Sequence, residues 1–219
     1  LDAEGVVWSW VRNDLGQLGN GTTTDSHQPQ RIEALSEPVS AIAAGDTFAL
    51  ALTESNRVYA WGANDQGQLG SGSGGRDELS AVPVLITDLE GVQQVAAGRR
   101  HALALLADGT VTAWGFNDDG QLGIGTANRD IHAPTPVPAL DGVMMVAAGS
   151  EHSLALNGDG VLYAWGDNFH GQLGTGDGGL GSRYLSPQVV SVAQAETVVA
   201  GSYMTFARDV DGAWWVWGR

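Results

Sequence analysis

The string Gly-Gln-Leu-Gly occurs four times in this chain, at Gly16–Gly19, Gly67–Gly70, Gly120–Gly123 and Gly171–Gly174. The copies lie 51, 53 and 51 residues apart. Two more strings keep that period. An apolar run with alanine ends at Gly45, Gly98, Gly149 and Gly201, and a Trp-Gly pair is centred on Trp61, Trp114, Trp165 and Trp217. A fixed period of this length constrains the fold more than any local propensity, because each unit must bury its apolar surface against its neighbours.

Within a unit the residues read as strands and turns. Ala102-Leu103-Ala104-Leu105 alternates small and large side chains, and Val111-Thr112-Ala113-Trp114 follows the pair Asp108-Gly109. That is a hairpin signature, with Asp-Gly expected at positive φ. Asp159-Gly160 and Asp211-Gly212 recur in register. Small faces at Ala49, Ala51, Ala102 and Ala104 and large faces at Leu50, Leu52, Leu103, Leu105, Leu154 and Leu156 suit sheets stacked on one another. No segment has a rival helical period. The expected class is all-β, with sheets arranged by radial repetition as propeller blades.

The unit Val95-Ala96-Ala97-Gly98-x-x-His101, Asp108-Gly109, Trp114-Gly115-x-Asn117-x-x-Gly120-Gln121-Leu122-Gly123 closely resembles the repeat of the regulator-of-chromosome-condensation family. The resemblance covers nearly the whole chain and implies four-stranded blades, of which family members usually place seven in a ring. Residues 1–219 therefore read as one β-propeller segment with units at approximately 11–61, 62–114, 115–165 and 166–217. Residues 1–10 read as the last strand of a preceding unit, since Val7-Trp8-Ser9-Trp10 matches Trp214-Trp215-Val216-Trp217. The expectation is part of a larger propeller, or one that completes its ring or covers its edges by self-association.

Charge and composition narrow the partners. The net charge is −15, and the chain contains no lysine and no cysteine. An electropositive nucleic-acid surface is not expected, nor is a disulfide framework or a thiol nucleophile. No stretch approaches the ~18 apolar residues of a membrane span. The start, Leu1-Asp2-Ala3-Glu4, reads as cut or processed. The compartment stays open, with the acidic, lysine-free surface leaning toward an extracellular or bacterial-surface setting.

Residues that recur once per unit are expected to serve the fold. Trp10, Trp61, Trp114, Trp165 and Trp217 read as packing between sheets, each N–H finding a carbonyl. The Gly-Gln-Leu-Gly glycines read as turn residues, because the Lys and Ser/Thr of a phosphate-binding loop are missing. Asn13-Asp14, Asn64-Asp65, Asn117-Asp118-Asp119 and Asp167-Asn168 read as turn caps rather than cation ligands. His101 and His152 share one repeat position that Phe48 and Met204 fill elsewhere, so local hydrogen bonding is expected of them and catalysis is not. The glycosylation sequon Asn20-Gly21-Thr22 coincides with a repeat feature and is read as incidental. No catalytic residue, metal ligand or cofactor is assigned.

Departures from the repeat are free to specify a partner. They fall after the Gly45-type glycine and around the Trp-Gly turn, and supply Arg12, Phe48, Arg99, Arg100, Phe116, Phe169, His170, Tyr203 and Met204 as candidate contacts. Aromatic and Arg side chains are enriched at binding hot spots. The leading expectation is a non-enzymatic protein-interaction scaffold. Behind it stand a guanine-nucleotide exchange factor for a small GTPase, a structural segment of a large surface protein, and a secreted propeller-type inhibitor, the first and last of which the resemblance implies.

Overall fold

The computed structural model describes residues 1–192 and 194–219, and its regular structure is entirely antiparallel β. Each hairpin closes through the same local chemistry. At Asp108-Gly109, the N–H of Leu106 bonds Thr110 O at 2.8 Å and the N–H of Gly109 bonds Leu106 O at 3.0 Å. Gly109 takes φ +82°, and the same left-handed slot holds Gly160, Gly212 and, in the one hairpin without Asp-Gly, Asn56. The expectation that Asp shares the positive φ is corrected here. Asp108 instead accepts the N–H of Thr110 on its carboxylate at 2.9 Å, the usual cap of a short polar side chain.

Five sheets follow along the chain. β1 (Trp8–Val11) pairs with β2 (Ser26–Arg31). β3 (Val39–Ala44), β4 (Phe48–Thr53), β5 (Val58–Ala63) and β6 (Leu79–Leu85) form a four-stranded sheet in sequence order. So do β7 (Val92–Ala97), β8 (His101–Leu106), β9 (Val111–Gly115) and β10 (Ile131–Pro136). β11 (Val143–Ala148), β12 (His152–Asn157), β13 (Leu162–Asp167) and β14 (Arg183–Val190) form the next, and β15 (Ala195–Ala200), β16 (Met204–Asp209) and β17 (Trp214–Gly218) a three-stranded last sheet. These sheets are phased differently from units cut at successive Trp residues: each Trp lies on a third strand, and the fourth strand follows the Gly-Gln-Leu-Gly turn.

The alternating faces sort as their sizes require. Leu50 and Leu52 of the second sheet pack with Ala102 and Ala104 of the third. Leu103 and Leu105 of the third meet Ala155 of the fourth, and Leu154 and Leu156 of the fourth meet Ala207 of the last. A large face set against a small one lets the sheets approach closely without voids.

Two clasps recur between sheets, the first at all four junctions and the second at the three that follow the second sheet. Trp61, Trp114, Trp165 and Trp217 donate their indole N–H to the carbonyls of Gln17, Gln68, Gln121 and Gln172 at 3.0, 3.0, 2.8 and 2.9 Å. Each carbonyl belongs to the preceding repeat, so the Trp ties one sheet to the next. The glycine that ends Gly-Gln-Leu-Gly gives the indole its seat, since a Cβ on Gly123 would lie 2.6 Å from Trp165 Nε1. The second clasp is backbone to backbone. Asp46 N–H bonds Arg99 O at 3.0 Å, Arg99 N–H bonds Ser150 O at 3.1 Å, and Ser150 N–H bonds Ser202 O at 2.9 Å, a chain of bonds running around the inner rim.

The buried asparagines hold the turns as read from the sequence. Asn13, Asn64, Asn117 and Asn168 accept the N–H of Leu18, Leu69, Leu122 and Leu173 at 2.9, 3.1, 3.1 and 3.1 Å. Their amide NH2 groups donate into the loop beyond, for example Asn117 Nδ2 to Thr126 O at 2.9 Å. With both ends of the amide occupied, the side chain organises about ten residues of polar loop that have no other core.

Candidate functional site

In the four sheets that begin at β3, β7, β11 and β15, the turn between first and second strands lies at the same end as the exit of the third strand. The two loop types in which the repeat varies are therefore brought to one face. Arg99, Arg100, Phe116 and Glu151 line a small cavity of about 180 Å³ there. Beside it, Asp119, Glu151, Asp167, Phe169, His170, Arg183 and Tyr203 line a second of about 350 Å³, and Glu151 borders both.

The wall of the larger cavity is aromatic. Phe169 and His170 meet edge to face with centroids 4.7 Å apart and planes at 86°, and His170 meets Tyr203 at 5.2 Å and 64°. Phe169 keeps 45% of its surface exposed. Opposite stand carboxylates. Burial and the nearby charges of Asp119 and Asp167 push the Glu151 carboxyl above its ordinary range, and burial with Asp167 does the same to Asp119. Arginines partly balance them: Arg99 reaches Glu151 at 3.5 Å and Asp46 at 3.7 Å, Arg183 reaches Asp119 at 3.7 Å, and Arg100 reaches Asp65 at 3.9 Å. These pairs are half-exposed and long, so they position the guanidinium groups more than they stabilise the fold.

Six of the nine sequence candidates thus converge: Arg99, Arg100, Phe116, Phe169, His170 and Tyr203. Arg12 lies apart, paired with Asp14 at 2.6 Å beside the first sheet. Met204 begins β16 and is partly buried. Phe48 is a correction. It is only 2% exposed, its ring lying where a side chain on Gly45 would be, so it fills the core and offers no contact surface. Glu151, Asp119, Asp167 and Arg183 were missed as site residues. The first departs visibly from the repeat, and the two Asp sit in turns already explained as caps. Arg183 begins β14, and its bond to Asp118 O at 2.7 Å spans 65 residues, which no local pattern announces.

His101 and His152 lie under this face with no exposed surface. His101 Nε2 is 2.9 Å from Ser153 Oγ, and His152 Nε2 is 3.1 Å from Thr205 Oγ1, each across a sheet junction. Those hydroxyls give their protons to Gln121 O and Gln172 O, both at 2.7 Å, so they accept from the imidazoles and Nε2 carries the proton. Nδ1 of each ring is buried without a partner. Burial lowers the His101 pKa to about 3, with the charge of His152 adding to it, and burial lowers that of His152 to about 4.

The sign is that of groups whose folded pKa lies below the unfolded value. Their contribution is full above about pH 6.5 and is lost as pH falls toward those folded values, because the unfolded chain takes up protons first. Stability is expected to decline with a slope approaching about 1.4 kcal/mol per pH unit for each imidazole. His101→Phe should flatten that decline, since Phe48 already occupies the equivalent slot. Urea midpoints of both proteins at about pH 7 and about pH 5 check it, and equal slopes would refute the assignment.

Blades clasped by Trp and Gln, with a shared loop face and a rim of inter-blade backbone bonds, define an arc of a repeat propeller. The chain belongs to the RCC1-like domain family, whose model matches residues 1–219. It is 34% identical to the ultraviolet-B receptor UVR8 of Arabidopsis thaliana over 97% of this chain and 49% of that protein. It is 33% identical to the mitochondrial RCC1 domain-containing protein RUG3 of the same plant, over 100% of this chain and 51% of that protein. Among solved structures, Prp20p of Saccharomyces cerevisiae superposes with TM-score 0.85 at 28% identity, covering 100% of this chain and 54% of that one. The chain spans about half the length of these relatives. The structure of Prp20p was reported with its binding properties to Gsp1p and histones.

Proposed function

We propose that this protein is a non-enzymatic interaction scaffold that takes a protein partner on the loop face around Glu151. The observation that carries the reading is the convergence of the departures from the repeat. Residues the fold does not need collect into adjoining cavities, with Arg and aromatic side chains ringing shared carboxylates. A rigid frame that fixes variable loops is suited to recognition. A further copy of the chain is a second partner under this reading.

The alternative, exchange of guanine nucleotide on a small GTPase, is favoured by the likeness to Prp20p. The two separate in one experiment, with Gsp1p and histones as probes because they are the proteins named with that relative. The scaffold reading expects capture of a probe without faster nucleotide release from Gsp1p. Arg99→Glu with Tyr203→Ala should weaken capture by about tenfold or more while leaving the thermal midpoint in place. Faster release would favour the exchange factor. Capture indifferent to both substitutions, or no capture of either probe, would count against this face.

A further inference from the structure

The fourth repeat departs from the turn pattern in a way the fold does not require. In the first two repeats the residue after the buried asparagine is Asp14 or Asp65, which accepts the side-chain N–H of Gln17 or Gln68 at 3.3 and 2.8 Å. In the fourth that place is taken by Phe169, and Gln172 gives its N–H to Asp167 instead, at 2.6 Å. The turn keeps its bond by drawing the carboxylate from another position. The Phe169 side chain is left without a part in the turn and lies 45% exposed.

Its ring, with those of His170 and Tyr203, is the aromatic wall of the cavity of about 350 Å³. The walls run from Asp119 to Tyr203 and include neither β1 nor β17. Charge inside is unbalanced. Asp119, Glu151 and Asp167 share the cavity with one arginine, Arg183, which reaches Asp119 at 3.7 Å and makes its short bond to Asp118 O. Arg99 touches Glu151 from the neighbouring cavity, at 3.5 Å. Asp167 accepts from Gln172 Nε2 and from the Phe169 backbone N–H at 3.1 Å, and neither donor is charged. Burial and the like charges beside it hold the Glu151 carboxyl above its ordinary range, the response of a carboxylate short of a counter-charge.

We infer that this cavity receives the guanidinium of an arginine presented by a basic segment of a protein partner, its plane against the aromatic wall and its N–H groups toward Glu151 and Asp167. Arginine suits the site better than lysine. Its cation is planar and weakly hydrated, stacks on rings and bonds carboxylates in pairs, whereas an ammonium is a compact, strongly hydrated charge. Charge favours a separate basic protein over a further copy of the chain. The chain carries −15, and its own arginines here are already engaged, Arg99 with Asp46 at 3.7 Å and Arg100 with Asp65 at 3.9 Å. The inference rests on the loop-face reading and gives the partner of that face a chemistry.

The probe is a fluorescein-labelled peptide alternating glycine with arginine, beside lysine and citrulline versions of the same length. Citrulline keeps the shape of arginine and loses the charge. Anisotropy is read at about 0.15 M ionic strength, where attraction beyond about 8 Å to an acidic surface is screened. The arginine peptide should bind about tenfold more tightly than the citrulline peptide and more tightly than the lysine one. Phe169→Ala and Glu151→Gln should each weaken it by about tenfold with circular dichroism unchanged. Asp77→Asn, which removes the same charge from a side chain 93% exposed and outside the cavity, should leave it as it was. Absence of binding, equal losses at Asp77 and Glu151, indifference to Phe169→Ala, or equal affinity for arginine and citrulline each overturns the inference. The loop-face reading is judged apart, by capture of Gsp1p or histones. Capture that Arg99→Glu with Tyr203→Ala weakens, without selectivity among the peptides, sinks the arginine site and leaves that reading standing; selectivity without capture of either protein does the reverse.

Discussion

Replacing Trp114 by alanine is expected to cost about 3–5 kcal/mol of unfolding free energy, a large share of what a domain commonly has. The indole is wholly buried, lies against Gly70, where a Cβ would come within 2.9 Å of Nε1, and donates to Gln68 O at 3.0 Å. Its loss opens a cavity in the core shared by the second and third sheets. The thermal midpoint should fall by about 10 °C or more for a chain of this length. Trp114→Phe should fall between, because it keeps most of the packing and loses the N–H bond. Trp10→Ala supplies the contrast: same repeat position, half-exposed, expected within about 0.5 kcal/mol of the unaltered monomer. Urea denaturation of the three variants checks the ordering. Equal losses at Trp10 and Trp114 would mean that packing between sheets is not what the Trp provides.

Gly98→Ala is expected to do still greater harm, although it adds one methyl group. That methyl would overlap the His101 ring and lie 2.5 Å from Gly149 O on the neighbouring sheet. The ring is held by its bond to Ser153 Oγ, and the carbonyl belongs to the inner rim, so neither can step aside without parting two sheets. Overpacking of this kind costs about 1–3 kcal/mol where a core can adjust and more where backbone is the obstacle. Most of the Gly98→Ala chain should be aggregated or molten on expression, read by loss of near-ultraviolet circular dichroism. Gly75→Ala, with nothing within 4 Å of the added carbon, should be indistinguishable from the original. A soluble, cooperatively unfolding Gly98→Ala protein would show that the sheets slide past one another more freely than their packing implies.

Most of the fold was legible because it is periodic. The Ala and Leu faces of β8, the Asp-Gly hairpins, the buried Asn and the Trp clasp each follow from a pattern that repeats within about 50 residues, and repetition filters out coincidence. The loop face was half legible. Arg99, Arg100, Phe116, Phe169, His170 and Tyr203 stand out as departures from the unit, and topology alone then gathers them. Phe48 misled because it departs from a histidine slot that proves to be interior. The acidic half was hidden because Asp119 and Asp167 share their residue type with turn caps, and because Arg183 reaches across from another repeat.

By itself the sequence determined the repeat, the hairpin within each unit, which face of its strands is large and which small, and an acidic composition without lysine or cysteine. These are local consequences of residue size, turn chemistry and charge. The tertiary structure alone decided where one sheet ends and the next begins, and which departures are solvent-facing. Those properties depend on distances between residues some 50 positions apart, and such distances exist only once the sheets are stacked.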